Sequence, residues 1–190
     1  MKKGIILLIV FLGWGSVFSY PLRDKEEDVI QKGREITNQI GKKLVQTVLQ
    51  AVGRGGVKEG VGYCHVQAVP LTDSLSKKYG VEVRRVALRY RNERNKPTKL
   101  EEVILSKWER SEKELGTIPS EEVHVNTAGD SLYFRPIVLQ PTCQMCHGKV
   151  GETLSDENYA LIQAKYPKDK AIGFSPGDLR GMWVVRFTNH

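Results

Sequence analysis

Two cysteines and a histidine stand together late in the chain, in the run Cys143-Gln144-Met145-Cys146-His147. Cysteines separated by two residues and followed directly by histidine form the c-type haem attachment signature. In that chemistry the two thiols form thioether bonds with the haem vinyl groups, and the histidine lies beneath the iron as its proximal ligand. The spacing therefore predicts one covalently bound haem c, attached at Cys143 and Cys146 and ligated by His147.

The same residue types allow other interpretations. Cysteine and histidine also bind zinc, so Cys143, Cys146 and His147 could form a Cys3His site with a remote cysteine. A motif this short can also occur by chance. We favour haem because the amino terminus independently predicts the compartment in which bacteria attach c-type haem.

The amino terminus has the character of a signal peptide. Lys2 and Lys3 precede an apolar run over residues 5–17, and Val17-Phe18-Ser19 resembles a small-residue cleavage site. The apolar run is shorter than the ~20 residues that a membrane-spanning helix needs. We therefore expect residues 1–19 to be removed and the mature protein to be periplasmic or otherwise exported.

Composition and charge narrow the classes of partner. The chain has 190 residues, and its 29 basic and 22 acidic residues are interspersed rather than clustered, with a formal net charge of +7. Nucleic-acid-binding chains usually concentrate basic residues in blocks, so we expect no nucleic-acid partner. The length suits one domain with an appended helix.

Hydrophobic periodicity predicts a long N-terminal helix before the main domain. Apolar residues recur at steps of three and four from Asp24 to Val52, which indicates an amphipathic helix. Its apolar stripe packs either on the domain or on a second copy of the chain, and the second arrangement would make a homodimer. Gly55 and Gly56 break the pattern. We therefore divide the mature chain into an N-terminal helix at residues 20–56 and a c-haem-binding domain at residues 57–190.

Within that domain, the apolar patterns predict an α+β fold. Helical patterns cover residues 57–64, 70–79, 100–115 and 159–165, and strand patterns cover residues 81–90, 121–127, 131–139 and 182–187. Strands of this kind form an antiparallel sheet with flanking helices, and a PAS-like sandwich is one such design.

The third cysteine, Cys64, has no evident partner. The chain has three cysteines, and a covalent haem uses two of them. Cys64 is then a free thiol, an intermolecular bridge or an iron ligand. Thiolate, imidazole and thioether groups all bind haem iron. The candidates for the sixth ligand are Cys64 first, His65 second, and then His124, Met182 and His190.

Arginines near the motif are candidates for binding the haem propionates, because a guanidinium can hold a carboxylate through two hydrogen bonds. Arg135 is the first choice, since it lies in the predicted strand that leads into the attachment turn. A surface ion pair is the alternative for Arg135. Weaker candidates are Arg85, Arg89 and Arg91.

Several segments together resemble one family, the c-haem-binding PAS-like domains of unknown function. These domains occur as exported stand-alone proteins and as extracytoplasmic sensor domains of bacterial histidine kinases and chemoreceptors. The segments that carry the resemblance are Cys64 with Ala68-Val69-Pro70, Arg85, Leu88-Arg89-Tyr90-Arg91-Asn92 with Asn95 and Pro97, Tyr133-Phe134-Arg135-Pro136-Ile137, Cys143 to Gly148, and Gly177-Asp178-Leu179-Arg180-Gly181. The resemblance implies a PAS-like fold in which the motif histidine and a distal cysteine, here His147 and Cys64, hold the iron.

Three functions fit these expectations. A haem-based sensor would respond to iron oxidation state or to a diatomic gas by displacing Cys64, and would act on a signalling partner. A soluble periplasmic electron carrier would pass one electron to a redox partner with its ligands unchanged. A small peroxidase would need a distal acid/base such as His65. We expect a sensor first, an electron carrier second, and no enzyme beyond a weak peroxidase-like activity.

Overall fold

The computed structural model describes the backbone of residues 20–188 and the side chains of residues 25–188. The predicted signal peptide at residues 1–19 and the candidate ligand His190 lie outside the described residues. The elements in chain order are α1 (Tyr20–Val66), α2 (Ala68–Tyr79), β1 (Glu82–Val86), α3 (Lys99–Leu115), β2 (Glu122–Val125), β3 (Ser131–Val138), α4 (Gln144–His147), α5 (Asp156–Lys165) and β4 (Leu179–Phe187). None of the helices between residues 20 and 188 combines the length and the apolar character needed to cross a membrane.

The four strands form one sheet in the order β1-β4-β3-β2, and all neighbouring strands are antiparallel. The two central strands, β3 and β4, carry most of the buried sheet residues because helices cover both of their faces. The predicted α+β class, with an antiparallel sheet and flanking helices, is confirmed.

Each face of the sheet packs against a different helix. The first part of α1 covers one face, where its stripe of Val29, Ile36, Ile40 and Leu44 packs against Val83, Tyr133, Trp183 and Val185. The other face is covered by α3, whose apolar residues Ile104, Leu105 and Trp108 pack against Val86, Phe134, Met182 and Val184. The N-terminal helix therefore uses its apolar stripe within its own chain and shares a core with the predicted domain.

A break divides α1 into a long first part and a short second part. The backbone of Gly55 and Gly56 is not helical, and Gly56 has a φ of 69°, in the left-handed region that favours glycine. The second part continues to Val66 and packs through Val61 against Ile162 and Tyr166 near α5. Cys64 lies on this short second part, beyond the break.

Two strands differ from their predicted bounds by three residues or more at one end. The first strand ends at Val86 and not at Tyr90, because the next backbone N–H, that of Ala87, donates to the carbonyl oxygen of Asn95 and the chain turns away from the sheet. The last strand begins at Leu179, three residues before its predicted start. Leu179 pairs with Val138 across an irregularity in the register of β3 and β4, next to the attachment turn.

Candidate cofactor site

A large cavity lies between α1, one end of the sheet and the segment that follows β3. It contains about 1280 Å³ of empty space, including its mouth. Most of its wall is apolar, formed by Leu44, Val45, Val48, Leu49, Val52 and Val61 of α1 and by Ile137, Leu139 and Trp183. An apolar cavity with a few polar groups converging on it is typical of a cofactor site.

Four of the predicted site residues line this cavity: Cys64, Cys143, Cys146 and His147. Cys143 ends a short 3-10 turn and the other two motif residues lie in α4, so the whole motif follows directly after β3. Cys64 comes from the second part of α1 instead. The three cysteines are all free of disulfide bonds. The fold thus places the attachment motif and the third cysteine at one cavity.

His147 has the protonation and orientation of a metal ligand. Its Nδ1 atom lies 2.7 Å from the carbonyl oxygen of Ala171. A carbonyl only accepts hydrogen bonds, so Nδ1 carries the proton and the lone pair of Nε2 is left for a metal. Burial, with the nearby charges of Arg180 and Arg91, holds the pKa of His147 well below its ordinary value. The imidazole is therefore neutral at physiological pH.

The loop that follows α5 holds the attachment turn through its backbone. Phe174 donates its N–H to the carbonyl oxygen of His147 at 2.9 Å, and Gly173 donates to that of Gly148 at 2.7 Å. Phe174 also packs in a small cluster beside Cys143. The position of the motif is therefore set by a loop that lies far from it in the sequence.

A buried ion pair fixes that loop in turn. Arg91 Nη2 donates to Asp169 at 3.0 Å, to the carbonyl oxygen of Cys146 at 2.6 Å and to that of Ala171 at 3.2 Å. The side chains of Arg91 and Asp169 are 11% and 1% exposed. Asp169 also accepts from the Ala171 N–H at 2.9 Å. The Arg91–Asp169 pair therefore connects the attachment turn to the Ala171 carbonyl group that binds His147.

The environment of Cys64 differs from that of its neighbour His65. Burial raises the pKa of Cys64, and the charges of Arg85 and Arg91 partly oppose this rise. His65 is exposed, contacts the Tyr166 ring edge to face at a centroid distance of 5.1 Å, and does not line the cavity. Of the two leading candidates for a sixth ligand, the cavity includes only Cys64.

The weaker ligand candidates lie elsewhere. His124 is on β2, where it contacts Glu122 at 3.2 Å and the ring of Phe134. Met182 is fully buried in the core beneath α3. Neither residue lines the cavity, and their positions do not support a role as iron ligand.

The position of Arg135 does not support the predicted contact with a propionate. Arg135 Nη1 donates to Asn38 at 2.7 Å and to Thr37 at 3.0 Å on the first part of α1, and the residue does not line the cavity. Arg135 lies on the face of the sheet that α1 covers, as the cavity does. The residues of β3 that line the cavity begin further along the strand, at Ile137. The Arg135 guanidinium binds the helix instead.

Three other arginines line the cavity: Arg85, Arg91 and Arg180. The first two were weaker sequence candidates. Arg180 was missed as a candidate, although its segment is part of the resemblance described above. The Nε atoms of Arg91 and Arg180 are buried and have no hydrogen-bond partner. Asp169 was also missed, and no pattern in the sequence around it indicated its role.

The described residues do not form the alternative zinc site. Between residues 25 and 188, no three or more His, Cys, Asp or Glu side chains are grouped in a way that could hold a metal ion by themselves. The cavity instead offers an apolar wall, two adjacent thiols, a neutral imidazole, a third thiol and several guanidiniums. This set fits the haem that the sequence predicts.

Comparisons with known proteins agree with the site. No curated protein matches the chain. The crystal structure of the cyanobacterial heme-protein Tll0287 aligns with a TM-score of 0.59 and 26% sequence identity, and the alignment covers 90% of this chain and 98% of that chain. The model of the Tll0287-like family matches residues 21–188. Since this match spans nearly all of the described residues, the chain belongs to the Tll0287-like family.

Proposed function

We propose that this protein is an exported haem protein with one haem c, attached to Cys143 and Cys146 and ligated by His147 and Cys64. One observation carries the proposal: the attachment motif and the remote Cys64 line the same apolar cavity. The similarity to the heme-protein Tll0287 over most of both chains supports the same cofactor.

The residues of the chain have distinct roles in this proposal. His147 presents Nε2 because Nδ1–H is held by the Ala171 carbonyl. Cys64 would hold the iron as a thiolate, and the charges of Arg85 and Arg91, which lower the pKa of this thiol against the effect of burial, would favour its deprotonated form. Bound haem supplies a one-electron couple, whose potential an anionic thiolate ligand lowers by favouring the ferric state.

The leading function is that of a periplasmic sensor, in which reduction or a diatomic gas displaces Cys64 and a signalling protein detects the change. The placement of Cys64 supports this function. Cys64 lies on a short helical segment that begins at the Gly55–Gly56 break, and such a break can serve as a hinge. Displacement of the sulfur would therefore act on the segment that adjoins the long helix.

An electron carrier is the second candidate, because a haem held by both His147 and Cys64 would be able to exchange one electron without a change of ligand. Enzyme activity has less support. A peroxidase needs an acid/base close to the iron, and His65, the residue suggested for that role, lies outside the cavity. We therefore propose that the protein is not an enzyme.

Absorption spectroscopy tests the proposal. The protein is produced together with c-haem maturation proteins, and spectra are recorded in the ferric, dithionite-reduced and carbon-monoxide-treated states, with a pyridine haemochrome assay. A c-type haemochrome establishes covalent haem, and its absence overturns the proposal. A shift with carbon monoxide favours sensing, whereas an unchanged reduced spectrum favours electron transfer.

A further inference from the structure

Two of the arginines in the cavity have no anionic partner. Arg85 forms no ion pair and no hydrogen bond through its guanidinium with any described residue, and its only close ring contact is with Trp183, at 5.8 Å. Arg180 donates one hydrogen bond, to the neutral carbonyl oxygen of Arg89 at 3.1 Å, and its Nε is buried without a partner. Both residues are half-buried, and a cation that is partly withdrawn from water is costly unless an anion compensates it.

The other two arginines nearby are already engaged. Arg91 forms its ion pair with Asp169. Arg89 is exposed, lies over the ring of Phe174 at 4.2 Å and donates to backbone carbonyl oxygens of the loop after α5. Arg89 does not line the cavity. Among the described arginines that line the cavity, those without an ion pair are therefore Arg85 and Arg180.

The strand register explains why these two side chains reach the same space. Arg85 lies directly across from Trp183 in the pairing of β1 with β4, and Trp183 faces the α1 side of the sheet. Arg180 occupies the irregularity between Leu179 and Gly181, where β4 pairs with the end of β3. Burial, and then repulsion by Arg91, lowers the pKa of Arg180 to about 9, although the charge of Asp169 opposes this fall.

We propose that Arg85 and Arg180 form the carboxylate-binding part of the cavity and hold the two haem propionates. This inference rests on the proposed function. Two propionates bring two negative charges, and two guanidiniums without partners supply the matching positive charges. Guanidiniums bind carboxylates through paired hydrogen bonds, so the propionates would satisfy the free Nε of Arg180. These two residues take the role that the sequence suggested for Arg135.

The test compares R85Q and R180Q with the wild-type haem protein, and R135Q serves as the control. R135Q removes a half-buried arginine from the same face of the sheet, outside the cavity. Resonance Raman spectroscopy measures the propionate bending bands, and spectroelectrochemistry measures the reduction potential. We expect R85Q and R180Q to shift the propionate bands and lower the potential, since a lost positive charge favours ferric iron. R135Q should leave both unchanged.

Lysine variants keep the test decisive if a glutamine variant does not accumulate. R85K and R180K retain the charge but lose the paired geometry, so the propionate bands should shift while the potential stays near the wild-type value. Bands that match the wild type in all cavity variants would overturn this inference alone. A wild-type protein without a pyridine haemochrome would instead overturn the proposed function.

Discussion

His147 and Ala171 are joined by a hydrogen bond of 2.7 Å between the imidazole Nδ1 and a backbone carbonyl oxygen. That carbonyl belongs to a loop held by Asp169, which accepts from the Ala171 N–H and from Arg91. The orientation of a candidate iron ligand therefore depends on an ion pair that acts through this loop. Residues that orient metal ligands in this way commonly tune the metal.

Replacing Asp169 by asparagine tests that dependence. The neutral amide leaves Arg91 buried without its anion, so we expect D169N to lower the free energy of unfolding by about 3 kcal/mol. Urea denaturation of the haem-loaded protein measures this loss. The iron–histidine stretching band of the reduced protein should also shift, because the Ala171 carbonyl is no longer held.

A surface ion pair provides the control for Asp169. Glu152 pairs with Lys149 at 3.8 Å, and the two side chains are 66% and 55% exposed. E152Q should change the free energy of unfolding by less than about 0.5 kcal/mol. Equal effects of D169N and E152Q would show that the Arg91–Asp169 pair does not hold the loop.

Substitution of the two neighbouring ligand candidates separates their roles. C64A should change the ferric spectrum and raise the reduction potential, because an anionic sulfur ligand is lost. H65A should leave both unchanged, since His65 is exposed and lies outside the cavity. Absorption spectroscopy and redox titration measure the effects. The opposite pattern would make His65 the ligand.

The packing of α1 on the sheet predicts different effects for two glycines. A Cβ atom on Gly33 would lie 2.4 Å from the ring of Tyr133, which is fully buried. G33A should therefore lower the free energy of unfolding by about 1–3 kcal/mol through overpacking. A Cβ on Gly53 would meet nothing within 4 Å, so G53A should gain up to about 1 kcal/mol from helix propensity. Urea denaturation measures both, and a stabilised G33A would contradict this packing.

Glu121 should make stability depend on pH. Burial alone would raise its pKa, but hydrogen bonds from Arg34 and Tyr133 and the charge of Arg34 lower it below the ordinary value of 4.5. The carboxylate therefore stabilises the fold above about pH 4.5, and this contribution is lost as the pH falls through the lowered folded-state pKa.

The comparison of wild type with E121Q isolates this effect. E121Q should be less stable than the wild type at pH 7, and the difference between them should narrow as the pH falls below 4.5. Urea midpoints at several pH values measure the difference. A gap that is constant across this range would show that ionisation of Glu121 does not contribute.

Elements with strong local patterns were predicted closely. The helix expected at residues 100–115 spans Lys99–Leu115, because its apolar stripe, the capping box formed by Thr98 with Glu101 and the left-handed Gly116 all act locally. The strand expected at residues 131–139 spans Ser131–Val138. Interactions between residues close in sequence determine where such helices and strands begin and end.

Bounds that depend on distant partners were predicted less well. The first strand stops at Val86 because Ala87 bonds to Asn95, and the last strand begins early because Leu179 pairs with Val138. Neither contact has a local signal. The same holds for Asp169, whose importance comes from its burial beside Arg91.

The site shows the same division between local and distant information. The attachment motif was identified because its chemistry is contained in five consecutive residues. Arg135 was chosen because its predicted strand leads into the attachment turn, but the part of that strand that lines the cavity begins at Ile137, since the position of a cavity along a strand is set by tertiary packing. Arg180 lies at a register irregularity, which alternation cannot predict.

The positions of Cys64 and His147 also have a consequence for the stability of the chain. Between them lie α2, β1, α3, β2 and β3. Iron bound to both residues would close this stretch into a loop and reduce the freedom of the unfolded chain, much as a disulfide does. If reduction releases the sulfur, that crosslink is lost while the haem stays attached. The protein would then resist unfolding more strongly in its oxidised form.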